Sequence, residues 1–149
     1  MSQDFGPSFP IMSPMSSHLA EERPHEVVIV SRDDGFVTRL KTFSQKCPAV
    51  RPVVTVFNEP LSALIHLLTH TPHVVVYDMD CDTLTRNLET LRGIRLIRGD
   101  VPIILGAQEH STPPFDPEND VGVFYRLLKS ASDGELEVVL ASARRPARR

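Results

Sequence analysis

The sequence predicts an α/β protein built as a doubly wound, five-stranded parallel sheet. Three observations predict it. Short apolar runs recur along the chain: Val27–Val30, Val53–Phe57, Val74–Tyr77, Val101–Leu105 and Val123–Leu127. They are rich in valine and isoleucine and nearly continuous, the pattern of strands buried on both faces. Segments with a helical period lie between most of them, which implies parallel strands joined by right-handed crossovers. Such sheets carry their sites at the carboxyl ends of the strands, and Asp78 stands there, directly after Val74-Val75-Val76-Tyr77.

In the first unit, Val27–Val30 precedes Phe36, Leu40, Phe43 and Cys47, which share one helical face, and Pro48 ends that helix. In the second, Val53–Phe57 leads to Asn58 as a cap and Pro60 in a first turn, with Leu61, Leu64, Ile65 and Leu68 as the expected buried stripe. Thr71-Pro72 closes that helix before Val74–Tyr77. Asp82 or Thr83 caps a third helix with Leu84, Leu88, Leu91 and Ile94 inward, Arg86, Arg92, Arg95 and Arg98 on its remaining surface, and Gly99 as its end. After Val101–Leu105 the pattern departs. Residues 108–120 hold Pro113, Pro114 and Pro117, and interior prolines cost a helix about 3 kcal/mol each. A Pro-rich loop is expected there in place of a helix. Val123–Leu127 follows, then a last helix burying Leu136, Val139, Leu140 and Ala143.

Around this domain, 26–143, residues 1–25 form a leader rich in Ser, Pro and Met, expected to be disordered because it lacks a sustained apolar period. Phe5, Phe9 and Ile11 are its stray apolar residues. Residues 144–149 are a basic tail with four arginines, read as a linker or helix end. The 149 residues are 41% hydrophobic and 23% charged, enough for one core. A net charge of −3 provides no field for nucleic acid. No apolar run approaches the roughly 20 residues that cross a bilayer, and the start lacks a basic segment followed by an apolar one, so no secretory signal is expected. Cys47 and Cys81 are too few for a disulfide scaffold and form no CxxC pair, which makes a reduced cytoplasmic protein the default.

Several spacings together resemble a response-regulator receiver domain, over about residues 26–143. Ala63-Leu64 in the second helix, Pro72-His73-Val74 before the third strand, Asp78, and Pro102 opening the fourth strand follow that family's rhythm. Gly122 stands seven residues before Lys129, the family's spacing from its strand-five glycine to its lysine. The resemblance implies a flavodoxin-like, receiver-type sheet whose strand-three aspartate accepts a phosphoryl group. In that family two acids after strand one hold Mg²⁺, a Ser/Thr ending strand four contacts the phosphoryl group, and the strand-five lysine pairs with it. Carried over, Asp78 matches the phosphoacceptor and Lys129 the lysine. The acid pair falls on Ser31 and Arg32, the hydroxyl position on Ala107, and the switch aromatic on Arg126, next to Tyr125. Ser130 replaces the usual proline after the lysine, and the proline expected near Asp82 is missing.

The resemblance therefore implies a pseudo-receiver: no enzyme, no cofactor, and signalling by protein contact, with a homodimer possible. In that register Arg32 lies near the metal position, where it is expected to pair with Asp78 or Asp80 in a fixed cluster with Lys129; an inert Asp78 is the plainer alternative. A shifted register keeps Asp33 and Asp34 as the acid pair, with Mg²⁺ as cofactor and Asp78 as a working phosphoacceptor, but Asp33-Asp34-Gly35 also reads as a helix-capping loop. A third reading makes the chain the first part of a longer regulator. His66 and His70 are four apart with His73 following, yet no Cys or acid completes a metal-ligand spacing. Cys81 reads as a loop thiol, and the charged stretch Ser31–Gly35 does not suit a flavin phosphate.

Overall fold

The computed structural model describes residues 25–46, 52–108 and 122–143. Its elements run β1 (Glu26–Val30), α1 (Asp34–Ser44), β2 (Val53–Phe57), α2 (Pro60–Leu67), β3 (Val74–Asp78), α3 (Leu84–Ile97), β4 (Ile103–Ala107), β5 (Tyr125–Leu128) and α4 (Asp133–Ala143). The five strands form one sheet in the order β2-β1-β3-β4-β5, and every pair is parallel. The strand order reverses between β1 and β3, so a crevice opens at their carboxyl ends. Register places Val30 beside Tyr77 and Asp78 beside Gly106.

Side chains alternate across the sheet and build two cores. Val28, Val30, Val75 and Tyr77 pack with Ala63 and Leu67 of α2 and Leu91 and Ile94 of α3. Val27, Ile29, Val74 and Val76 pack with Phe36 and Leu40 of α1 and Leu136, Val139 and Leu140 of α4. The doubly wound sandwich expected from the sequence is therefore the observed one, as is the buried face of α4. Among the described residues no helix is long and apolar enough to cross a membrane.

Helix α1 starts where Asp33 accepts a hydrogen bond from the Phe36 amide at 3.1 Å, with Asp34 in the first turn near the positive end of the dipole. Thr83 caps α3 in the same way, accepting from the Arg86 amide. Helix α2 has Pro60 at its first turn, but Glu59, not Asn58, is its cap residue. The expected stripe on α2 is also rotated. Leu61, Ile65 and Leu68 are exposed at 67%, 59% and 63%, while Pro60, Ala63 and Leu67 are buried and Leu64 is partly so. This short helix is apolar on two faces, so its period alone does not select one. The small Ala63 lets the backbone approach the sheet, and the bulkier face turns outward. Accordingly, Ile65→Gln is expected to change unfolding free energy by no more than about 0.5 kcal/mol. Leu67→Ala is expected to cost about 2–5 kcal/mol. Equilibrium urea denaturation of the two variants checks this.

On α3 the inward face is Asn87, Thr90, Leu91 and Ile94; Leu84 is exposed and Leu88 half-buried. Two of its arginines are structural rather than solvated. Arg98 Nε donates to Leu67 O and His70 O at 3.0 and 3.1 Å. Arg95 donates to the carbonyls of Gly99, Val101 and Gly122. Strand β5 begins at Tyr125, two residues later than the apolar run suggests. The leader to residue 24, Cys47, Pro48, the prolines at 113, 114 and 117, and the basic tail lie outside the described residues. So does the expectation of a loop in place of a helix at 108–120, apart from Gln108.

Candidate functional site

Strand β3 is buried along its whole length and delivers Asp78 to the crevice with 1% of the residue exposed. Asp78 Oδ2 accepts the Ser31 hydroxyl at 2.6 Å and the Lys129 ammonium at 2.9 Å. Its Oδ1 accepts the Asp80 amide at 2.8 Å. Lys129 follows β5, and its amide extends the ladder to Ala107 O at 2.8 Å. Its Nζ also contacts Asp33 Oδ2 at 3.0 Å and Asp80 Oδ2 at 3.1 Å, so three carboxylates surround one ammonium. Burial works against the charge on Lys129, but hydrogen bonds to Asp78, Asp33 and Asp80 outweigh it and hold the ammonium's pKa above its ordinary value. Asp33 is held below the usual carboxylate range by the Phe36 amide first and by Lys129 second.

Ser31 joins the parts. Its amide donates to Phe57 O at 2.9 Å, and its hydroxyl, while donating to Asp78, accepts the Asp33 amide at 3.0 Å. Asp33 thus has two tasks: Oδ1 caps α1 and Oδ2 meets Lys129. Asp34 is exposed in the first turn of α1.

Arg32 is where the expectation and the structure differ. Its guanidinium does not turn to Asp78 or Asp80. Nε donates to Asn58 O at 2.8 Å, NH1 to Cys81 O at 2.7 Å, and NH2 meets Glu59 Oε1 at 3.3 Å. Lys129 already bridges both aspartates, and the guanidinium bonds the carbonyls of the neighbouring loops instead. The fixed cluster is therefore Asp78, Lys129, Asp33 and Asp80.

Ala107 ends β4 and brings only a methyl group where the resemblance expects a hydroxyl. Beside it, a Cβ on Gly106 would lie 2.7 Å from Phe36 Cζ, so glycine is what lets that ring pack under the site. Arg126 is exposed on β5, and its neighbour Tyr125 donates to Glu135 Oε2 of α4 at 2.7 Å. Arg39 binds Lys129 O and Ala131 O at 2.6 and 2.8 Å and so holds the lysine's turn.

Asn87 is the residue that sequence reasoning missed. Its Oδ1 accepts the Tyr77 hydroxyl at 2.8 Å, and its Nδ2 donates to Met79 O at 2.7 Å and Asp82 O at 3.2 Å. Extending the Leu91 and Ile94 stripe back by one turn would have found it. Cys81 is a loop thiol as expected, but a buried one, and burial pushes its pKa up. At the other end of the sheet His66 pairs with Glu26 at 2.8 Å and stacks on His70.

The residues beside Asp78 do not suit a divalent cation. A hydroxyl and an exposed arginine, Ser31 and Arg32, stand where the sequence resemblance expects two acids, and the ammonium already touches all three carboxylates.

No protein-family model matches the chain, and no curated protein matches it. Solved structures do. The N-terminal domain of a response regulator/sensory box/GGDEF protein from Carboxydothermus hydrogenoformans superimposes with a TM-score of 0.68 at 14% identity, over 80% of this chain and 93% of that one. The chain has the receiver fold. The chemotaxis protein CheY4 of Vibrio cholerae gives 0.67 at 16% identity, over 80% and 98%. The Francisella response regulator 1452 receiver domain gives 0.64 at 20%, over 80% and 96%. At these identities the likeness is one of fold, and within that receiver fold Asp78 and Lys129 lie where β3 and β5 deliver them to one crevice.

Proposed function

We propose that this receiver-fold chain is a pseudo-receiver, a binding module in two-component-type signal transduction that works by protein contact without phosphoryl transfer. One observation carries the reading: both lone pairs of Asp78 Oδ2 are engaged, by Ser31 and by Lys129, in a residue with 1% exposure. Phosphoryl transfer needs a metal bridging the phosphoryl oxygens and the carboxylates. Here the bridging cation is a side chain with no open coordination position. On this reading the chain is a binding protein and not an enzyme. Its contact surfaces are the carboxyl-edge loops and the face of β5 and α4, where Phe124 and Val138 are exposed; that face also suits a homodimer.

The test is incubation with Mg²⁺ and a small phosphodonor, followed by intact-mass measurement. No phosphorylated species is expected, in the wild type or in Asp78→Asn. A stoichiometric phosphoryl adduct on the wild type that Asp78→Asn abolishes would overturn the reading. It would favour the second one, a phosphoacceptor using Asp33, which rests on the Asp33–Lys129 contact that brings that carboxylate into the same cluster as Asp78.

A further inference from the structure

The carboxyl-edge loops are tied together by one side chain. Arg32 lies in the loop after β1, and its acceptors lie after β2, at Asn58 and Glu59, and after β3, at Cys81. Strand β1 neighbours both β2 and β3, so Arg32 stands between the loops it joins. The planar guanidinium suits this task because Nε and NH1 reach carbonyls in two directions at once. The Glu59 contact, between groups 48% and 61% exposed, contributes little. The Cys81 carbonyl, part-buried and 2.7 Å away, is the decisive anchor. From beneath, Asn87 holds the same loop through Met79 O and Asp82 O.

We propose that Arg32 is a positioning residue, a strap that keeps the β3–α3 loop closed over Asp78 and presents the carboxyl edge in a single conformation. The proposal rests on reading that edge as a contact surface, and it explains why the arginine at an acid position faces away from the acids.

Cys81 reports the state of the loop, because it is 6% exposed when the strap is in place. In a Cys47→Ser background, native-state labelling of Cys81 by a disulfide reagent is expected to speed up about tenfold in Arg32→Gln, the worth of one charged hydrogen bond. Arg32→Lys, which keeps the charge but not the fork, is expected to label like Arg32→Gln. Arg98→Gln, which loosens the far end of α2, is expected to leave the rate unchanged. Hydrogen exchange gives a second readout: residues 79–83 lose protection in Arg32→Gln while β1 and β3 keep theirs. An unchanged labelling rate in Arg32→Gln, full rescue by lysine, an equal rise in Arg98→Gln, or a uniform loss of protection would each overturn the strap. Labelling uses neither phosphodonor nor partner, so its outcome is independent of the phosphorylation test.

Discussion

Lys129→Met is expected to lower the free energy of unfolding by about 3–5 kcal/mol at neutral pH, the cost of removing one partner from a buried pair. The lysine side chain is 13% exposed and that of Asp78 2%, so the charge left behind has little access to water. Asp33 and Asp80 would then repel it across the vacated position. Urea denaturation checks the size, and its pH dependence checks the cause. In the wild type, the raised pKa of Lys129 means that its contribution is complete below 10.5 and fades only as pH rises through the higher folded value. The lowered pKa of Asp33 means that its contribution is present above 3.8 and fades as pH falls through the lower folded value. Between those flanks the contributions of Lys129 and Asp33 stay nearly level. On the acid side the variant loses the part of the Asp33 shift that Lys129 causes and keeps the part due to the Phe36 amide. Its stability should therefore fall less steeply in acid than that of the wild type. A variant that loses stability in parallel with the wild type as pH falls through that acid flank would remove the cluster as the explanation. Asp78→Asn added to Lys129→Met should recover part of the loss, because the two side chains are directly coupled.

Asn87→Ala is the second large effect, at about 3 kcal/mol. The amide is 1% exposed and serves four neighbours: the Tyr77 hydroxyl, the Cys81 thiol, and the carbonyls of Met79 and Asp82. A buried polar group left unpaired costs about 1–3 kcal/mol, and alanine leaves the Tyr77 hydroxyl and two carbonyls in that position. Burial drives the Tyr77 phenol well above its usual pKa, so it remains a protonated donor throughout the neutral range. Tyr77→Phe alone should cost about 1 kcal/mol. The double variant should cost less than the two singles together, because the phenol no longer needs a partner. Strict additivity in denaturation would show that the two groups do not act as a unit.

The two residues were not equally legible in the sequence. Asp78 and Lys129 stand at the ends of apolar strands, and strand ends converge on one edge of a parallel sheet wherever the loops lead. Asn87 lies within a helix, and only the helix's rotation against β3 reveals that it faces inward. Helix α2 failed for the same reason: with apolar residues on both sides, its burial follows from how near Ala63 brings it to the sheet. Ser31 looked like a lost acid, whereas its hydroxyl is a link between Asp78 and the Asp33 amide. Asp33 looked like either a cap or an acid of the site. Its two carboxylate oxygens point in different directions, so it is a cap that also meets Lys129.

By itself the sequence determined the class of the protein, its alternation of strand and helix, and the end of the sheet where charge collects. Those features depend on local periodicity and on the chain's handedness, which act over a few residues at a time. The tertiary structure decided which cation meets Asp78. Arg32 and Lys129 are similarly far from Asp78 along the chain, one before it and one after, yet Lys129 makes the pair because β5 ends beside β4 and its side chain reaches the crevice. Arg32 instead reaches carbonyls in the neighbouring loops. Partner choice among charged side chains follows distance and competing acceptors in space, and neither is written in the order of residues.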